Sequence, residues 1–167
     1  MRRVVTWHRN GKSVILEDKE IAGQEGIASE MLVFWKTEGI PVIPVKKKDT
    51  LQPLPFQFPE PGCTILAIWS AAPYEEVLRK ANEKGIDLVE FWRKQFGDEP
   101  GMHTTNTIDF DIVLSGEVWM EVDDGVEVHL KPFDCVVQNG TRHAWRNKST
   151  KNCVMASVMV GAKRKKH

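Results

Sequence analysis

The sequence predicts a mostly β domain, a sandwich or closed barrel, with a short helical segment near residues 74–96. Three observations support this prediction. Turn dipeptides such as Asn10-Gly11 and Asn139-Gly140 divide the chain into short segments of strand length. Apolar and polar residues alternate cleanly over Glu117–Val122. The chain has 167 residues, which suits one compact domain.

The N-terminal part is predicted to consist of extended segments joined by turns. Val4–Trp7 and Ser13–Leu16 flank Asn10-Gly11, which indicates a β-hairpin, and Met31–Trp35 is a further apolar run of strand length. Six prolines lie between positions 41 and 61. Because proline lacks a backbone donor and fixes φ, this stretch is expected to be irregular and exposed.

A change of periodicity marks the helical segment. Thr64–Trp69 is typical of a buried strand. From Tyr74 to Phe96 the apolar residues recur every three to five positions among charged ones, which predicts an amphipathic helix. Gly85 is expected to divide it into two pieces, and Pro73 suits the first turn of the first piece.

The C-terminal part is predicted to be all β. Its expected strands are Asp109–Leu114, Glu117–Val122, Val126–Leu130, Cys135–Val137, His143–Arg146 and Val154–Val160. Cys135 and Cys153 lie in apolar runs and are expected to be buried thiols. The basic residues at the end of the segment 162–167 are expected to form a solvated tail.

The charge balance excludes some classes of partner. Lys and Arg number 23, Asp and Glu number 23, and the formal net charge is zero. Nucleic acids and anionic membranes reward a basic surface, so neither is the expected partner. The N-terminus does not resemble a signal peptide, and no apolar run reaches the length of a membrane-spanning helix. We therefore expect a soluble, cytoplasmic protein.

A row of polar residues marks the candidate site. His103, Thr105, Thr107 and Asp109 share parity, so an extended backbone projects all four from one face. That face either meets water or lines a polar cavity. A second imidazole, His143, lies on a later strand.

Two imidazoles and a carboxylate form a ligand set for a first-row divalent metal such as iron, manganese, nickel or zinc. His103, Asp109 and His143 are the candidate metal ligands, and three protein ligands leave positions open for substrate or water. A histidine in a β protein is also commonly a surface or hydrogen-bonded structural residue. Trp145 shares a face with His143 and is a candidate aromatic wall beside it.

The segment Gly101–Gly116 resembles the first motif of the cupin superfamily. That motif has two histidines separated by one residue, then a glutamate and a closing glycine. His103 falls on the first histidine, Asp109 on the glutamate and Gly116 on the glycine. The resemblance implies a cupin double-stranded β-helix, a jelly-roll-like barrel.

The segment Gly140–Asn147 resembles the second cupin motif. Gly140, His143 and Asn147 fall on its glycine, histidine and asparagine. The two strings together are similar to a group of small, largely uncharacterised single-domain bacterial cupins. The resemblance implies one cupin domain over residues 1–167: N-terminal strands, proline-rich loop and helical segment in 1–100, core motifs in 101–161, and a basic tail in 162–167.

Departures from the motifs leave the metal open. Thr105 replaces the second histidine, and Asp109 is shorter than the usual glutamate. Either His103, Asp109 and His143 hold a metal, or Thr105 or water completes a weaker site, or no metal binds and a polar pocket is left. Gln138 stands where proline is common, which is expected to affect the turn more than the chemistry.

The resemblance implies an enzyme that acts on a small organic molecule inside the barrel. With a metal, oxygenase, decarboxylase, isomerase or lyase chemistry is open; without one, Asp109 and His143 are the candidate catalytic pair for proton transfer. Thr105, Thr107 and Trp145 are the candidate substrate-binding residues. The alternative is a non-catalytic module that binds or senses a small molecule without metal. A homodimer is expected, paired through sheet edges.

Overall fold

The computed structural model describes residues 1–45, 56–97 and 99–165. Its strands and helices are, in chain order, β1 (Arg2–Arg9), β2 (Lys12–Glu20), β3 (Gln24–Glu25), β4 (Ser29–Glu38), β5 (Cys63–Ala71), α1 (Tyr74–Glu83), α2 (Leu88–Phe96), β6 (Thr107–Ser115), β7 (Val118–Glu121), β8 (Glu127–Leu130), β9 (Cys135–Gln138), β10 (Ala144–Arg146) and β11 (Cys153–Gly161). The prediction of a mostly β fold with a helical segment near 74–96 is confirmed.

Two antiparallel sheets form the body of the molecule. A six-stranded sheet has the order β3-β4-β5-β11-β6-β9, and a three-stranded sheet has the order β10-β7-β8. Strand β6 lies beside β11 and β9, which come from much later in the chain. This crossing of distant segments brings both sequence motifs to one end of the barrel, where His103 and His143 form an isolated backbone bridge.

The apolar core lies between the two sheets. Its buried members come from β5, β6, β7, β8 and β11; they are Trp69, Ala71, Val113, Val118, Leu130, Cys153 and Met155. Alternation along each strand places every second residue inside. On β6 this alternation buries Thr107, Asp109, Asp111 and Val113, so the same strand supplies both core and site.

Two short helices follow β5 and lie against the rim of the barrel. Helix α1 begins after Pro73, and Gly85, with φ of 63°, separates it from α2. The predicted division at Gly85 is therefore confirmed, and Pro73 lies at the N-cap rather than in the first turn. Asp87 caps α2 by accepting hydrogen bonds from the backbone N–H groups of Val89 and Glu90. Within the described ranges, no helix has the length and apolar character needed to cross a membrane.

The N-terminal hairpin prediction is also confirmed. Strands β1 and β2 pair in antiparallel register around Asn10 and Gly11, which both have positive φ. Arg3 and Glu17 form a buried ion pair within this hairpin. Of the predicted proline-rich loop, residues 46–55 lie outside the described residues.

One expectation about side-chain burial needs correction. Cys135 is exposed, whereas Cys153 is buried as predicted. Cys135 lies on the outward face of β9, opposite the exposed Ile112 of β6, whereas the alternate face of β9 carries the buried Gln138.

The predicted basic tail is partly ordered by contacts. The Arg164 guanidinium donates hydrogen bonds to the carbonyl oxygens of Thr105 and Gly140, both at 2.8 Å, and to Asn106 Oδ1. It therefore joins the chain before β6 to the loop after β9, the two segments that carry the site. Arg164 is exposed, as expected of a solvated tail, yet these hydrogen bonds hold it in place; residues 166–167 lie outside the described residues.

Candidate functional site

A cavity of about 1040 Å³ opens between the rim of the barrel and the two helices. Its walls include Trp69 from β5, Trp92 from α2, Trp145 from β10 and the imidazole of His103. Trp69 and Trp145 make an edge-to-face pair with ring centroids 5.6 Å apart. The three tryptophans lie among other apolar, polar and charged lining residues, and the volume is near the upper end of the range usual for a small-molecule site.

His103 lies on the wall of this cavity. Its backbone N–H donates to the carbonyl of His143, and the reverse bond forms as well, both at 2.9 Å. Its ring nitrogen Nδ1 is 2.8 Å from the carbonyl oxygen of Gly101. Because a carbonyl only accepts, Nδ1 carries the proton in the neutral ring and Nε2 carries the lone pair.

His143 lies deeper in the barrel and is 3% exposed. Its ring is 4.5 Å from that of His103 and 5.9 Å from that of Trp145, measured between centroids. Burial lowers the pKa of His143 to about 4, the contact with the Thr141 carbonyl opposes this shift, and the charge of His103 adds to it. His143 is therefore neutral near pH 7.

Asp109 is buried inside the barrel. Burial raises the pKa of its carboxyl, while a hydrogen bond from Thr107 and the charge of His103 oppose the shift. Its Oδ1 atom accepts no hydrogen bond from the residues that the structure describes. A buried acceptor without a donor is costly, and this oxygen is an unsatisfied hydrogen-bond acceptor in the described interior.

Thr105 and Thr107 are buried against each other, with their hydroxyl oxygens 2.7 Å apart. They do not line the cavity that contains His103. Thr105 instead lines a second cavity of about 590 Å³ near Glu60 and Arg164. The substrate-binding roles expected for the two threonines stay predictions, as do the roles expected for Asp109 and His143; of the predicted site residues, His103 and Trp145 line the large cavity.

A second buried carboxyl was missed by the sequence reasoning. Asp111 accepts a hydrogen bond from the Ser157 hydroxyl, and Ser157 accepts one from the Trp69 indole N–H at 2.7 Å. Burial raises the pKa of Asp111 to about 6, the Ser157 hydrogen bond opposes this shift, and the charge of Asp109 adds to it. The signal was present in the parity that Asp111 shares with Asp109, and in Ser157 as a lone hydroxyl in an apolar strand.

Gln138 was also undervalued. It is 1% exposed, and its amide nitrogen lies 2.5 Å from Nδ1 of His143 and 2.6 Å from the carbonyl oxygen of Thr141. Its amide oxygen accepts a hydrogen bond from the backbone N–H of Gly140. Gln138 was expected to affect the turn more than the chemistry, and the structure places its side chain in contact with both the turn and a histidine of the candidate site.

The arrangement of donors does not fit the expected metal centre. Within residues 1–45, 56–97 and 99–165, no group of three His, Cys, Asp or Glu side chains is placed to hold a metal ion. Nδ1 of His143 faces the amide of Gln138, and Thr105, at the position of the second motif histidine, is hydrogen-bonded to Thr107. The expectation of iron, manganese, nickel or zinc at His103, Asp109 and His143 is therefore not confirmed.

The cations around the cavity already have partners. Arg146 pairs with Glu121 at 2.7 Å, and Lys148 pairs with Glu127 at 2.5 Å. Arg79 of α1 is held between two glutamates of its own helix, Glu76 and Glu83. With its positive groups paired, the cavity favours a ligand with an aromatic or apolar body over a highly charged anion.

Comparison with known proteins finds a family match over the C-terminal part of the chain. Residues 88–160 match the family profile described as Cupin domain. A solved Cupin 2 conserved barrel domain protein from Salinispora arenicola is 19% identical, with a TM-score of 0.40 over 67% of this chain and 72% of that one. A likeness at this level does not bear on function.

Two curated relatives are fungal. Oryzines biosynthesis cluster protein J of Aspergillus oryzae is 47% identical over 53 residues, which cover 32% of this chain and 30% of the relative. Phomopsin biosynthesis cluster protein C' of Diaporthe leptostromiformis is 47% identical over 53 residues, covering 32% and 28%. The match thus spans less than a third of these relatives, and the expected grouping with bacterial proteins is not confirmed. The motifs and the two sheets agree on one fold, a mostly β double-stranded β-helix, and residues 88–160 are the part of the chain that is similar to the cupin family.

Proposed function

We propose that this cupin domain binds a small organic molecule in the large cavity and transfers a proton on it, without using a metal. The observation that carries the proposal is His103, an imidazole that lines the same cavity as three tryptophans and has its lone pair on Nε2. The three cysteines are free thiols. This supports the cytoplasmic location that we propose, because free thiols persist in reducing compartments.

His103 is the proposed general base. The Gly101 carbonyl holds its Nδ1–H, so Nε2 is the nitrogen that accepts a proton from a bound molecule. Asp109 and His143 remain the proposed partners, since the charge of His103 acts on the pKa of both. Isomerisation needs only such proton transfers, and elimination needs proton abstraction together with departure of a leaving group that the substrate itself carries, so the isomerase and lyase classes suit this site better than oxygen chemistry.

The cavity suggests the class of substrate. Trp69, Trp92 and Trp145 offer flat apolar surfaces, and the surrounding cations are engaged in ion pairs. A planar or apolar molecule with one acidic C–H or O–H fits this environment. The two relatives are named as biosynthesis cluster proteins. We extend this to the chain by proposing that its substrate is an intermediate of small-molecule biosynthesis.

Replacing His103 by glutamine is expected to abolish proton transfer while leaving ligand binding intact. Aromatic fragments selected by thermal shift would be incubated with protein in D₂O, and deuterium incorporation would be followed by NMR. We expect exchange to fall by roughly 10²–10⁴-fold, the usual contribution of a general base. His129→Gln is the matched control, because His129 is stacked on Trp119 and paired with Glu117, away from the cavity.

Two results would overturn this assignment. Full exchange in the His103→Gln variant would remove His103 from the chemistry. Binding to the wild type with no exchange for any ligand would favour the alternative, a module that binds or senses a small molecule.

We propose in addition that the domain forms a homodimer, through a sheet face. The outward residues of β6 are Ile108, Phe110, Ile112 and Leu114, each between 38% and 45% exposed. The outward residues of the adjacent β11 are Val154, Ala156, Val158 and Val160. An antiparallel sheet normally turns its polar face to water, whereas here the polar face of β6 is inside. These outward residues of β6 and β11 are all uncharged, so the same face of a second copy can pack against them without charge repulsion.

Phe110→Asp is expected to convert the dimer to a monomer, because it would bury an unpaired carboxylate in the interface. Light scattering after gel filtration would measure the mass. Val128→Asp is the control, since Val128 is 56% exposed on the other sheet and its replacement should leave the dimer intact. A wild-type protein that is monomeric at tens of micromolar would refute the dimer.

A further inference from the structure

The orientation of the Gln138 amide decides which nitrogen of His143 carries a proton. An amide group can be built in two orientations, so its neighbours must identify the oxygen. Here both ends have an unambiguous neighbour. The backbone N–H of Gly140 can only donate, so the atom that it meets is the amide oxygen. The carbonyl of Thr141 can only accept, so the atom at 2.6 Å from it is the amide nitrogen.

The amide nitrogen has two hydrogens, and Thr141 takes one of them. The second is directed to Nδ1 of His143, which lies 2.5 Å from the amide nitrogen. If Nδ1 carried a proton, its N–H and the N–H of the Gln138 amide would point at each other and repel at this distance. The carbonyl of Thr141 is also near Nδ1, at 3.0 Å, and could accept a proton from it. Nδ1 cannot donate to this carbonyl and also accept from the Gln138 amide in the plane of the ring, so we assign the hydrogen bond to the shorter contact, with Gln138. Nδ1 is therefore the acceptor, and the proton of the neutral ring is on Nε2.

We propose that Gln138 is a positioning residue that holds His143 as the neutral Nε2–H tautomer, which makes His143 a hydrogen-bond donor instead of a metal ligand. Both nitrogens are then unsuited to a metal, since Nδ1 is engaged by the amide and Nε2 carries a proton. His103 is in the opposite tautomer, with its proton on Nδ1. The two rings, 4.5 Å apart, thus present one acceptor nitrogen and one donor N–H.

This pairing suits a specific ligand chemistry. A ligand that offers an acidic hydrogen and an oxygen acceptor, such as a ketone and its enol, matches one base and one neutral donor. The tautomer of His143 goes beyond the proposed function, because it is set by Gln138 with or without a bound molecule. Its test therefore needs no substrate, and its failure would leave the role of His103 standing.

The test is ¹⁵N NMR of the histidine side chains. A bare and a protonated imidazole nitrogen resonate far apart, and long-range ¹H–¹⁵N correlations identify which is Nδ1. The His143→Gln variant assigns the signals by their loss. In the wild type at pH 7 we expect a bare Nδ1 and a protonated Nε2 for His143, and the reverse for His103. A protonated Nδ1 on His143 would overturn the proposal.

Gln138→Glu provides the sharper comparison. The carboxylate keeps an acceptor for the Gly140 N–H but offers no hydrogen to Nδ1, so His143 should acquire a proton on Nδ1. A carboxylate behind a histidine also strengthens its other nitrogen as a metal ligand. Titration with Zn²⁺ by calorimetry should therefore show binding at least tenfold tighter to Gln138→Glu than to the wild type.

Gln138→Met serves as the uncharged companion variant. It removes the amide while adding no charge, so the Thr141 carbonyl should draw the proton to Nδ1 and the tautomer should reverse as in Gln138→Glu. An unchanged His143 tautomer in both variants would show that Gln138 does not set it. Stoichiometric, tight Zn²⁺ binding by the wild type, lost in His143→Gln, would equally contradict the proposal.

Discussion

Asp111→Asn should raise the free energy of unfolding at pH 8 by about 2 kcal/mol. Asp111 is 5% exposed, and at this pH its carboxylate is ionised in the interior of the barrel beside Asp109. Burial of a charge without a cationic partner is unfavourable. Asparagine removes the charge and keeps an oxygen that accepts the Ser157 hydrogen bond. Mutation of this interior polar residue is thus expected to stabilise the protein.

The sign of the pH dependence follows from the same group. In the unfolded chain Asp111 has its ordinary pKa of 3.8, and in the folded protein the pKa is about 6. Between these values the folded state holds a proton that the unfolded state has lost. The stability that Asp111 contributes is therefore complete below pH 3.8 and is lost as the pH rises through about 6. Wild-type stability should fall over this window more steeply than that of Asp111→Asn.

Urea denaturation at several pH values between 4 and 8 would measure this difference. Asp124→Asn is the matched control, because Asp124 is an exposed aspartate in the turn after β7. The control should parallel the wild type at every pH. A variant Asp111→Asn that is less stable than the wild type at pH 8, or equally dependent on pH, would mean that the interior solvates this carboxylate better than its burial indicates.

The fold could be predicted because its signals are local. The Asn10-Gly11 turn, the alternation over Glu117–Val122 and the change of period at Tyr74 each act within a few residues. The proximity of His103 and His143 could also be predicted, because the two motifs mark segments that meet at one end of the barrel.

The parts that escaped prediction depend on contacts between distant segments. Asp111 and Ser157 meet only through the register of β6 with β11, which no local pattern reveals. Gln138 stands where the motif has proline, and its amide contacts His143. A comparison with the motif shows that the proline is missing but not that the glutamine side chain makes this contact. Arg164 lies in a run of like charge that is typical of a tail, yet two backbone carbonyls separated by 35 positions in the chain accept from it. In each case tertiary structure overrides the local expectation.

Gly116→Ala should destabilise the protein by about 4 kcal/mol, the sum of backbone strain and a steric clash. Gly116 has φ of 73°, a conformation that disfavours any side chain. A Cβ atom there would lie 2.8 Å from Cα of Cys153 and closer still to the carbonyl oxygen of Asn152. Both are backbone atoms at the start of the central strand β11, so they cannot rotate away.

Gly125→Ala separates the two causes. Gly125 ends the turn at the other end of β7 and has φ of 67°, but a Cβ there meets no atom within 4 Å. This variant should lose only the strain energy, about 1 kcal/mol. Thermal and urea unfolding of both variants would then show a difference of about 3 kcal/mol that belongs to the contact with β11. Equal losses would mean that β11 shifts to admit the methyl group, and that the closing glycine of the first motif is required for its φ alone.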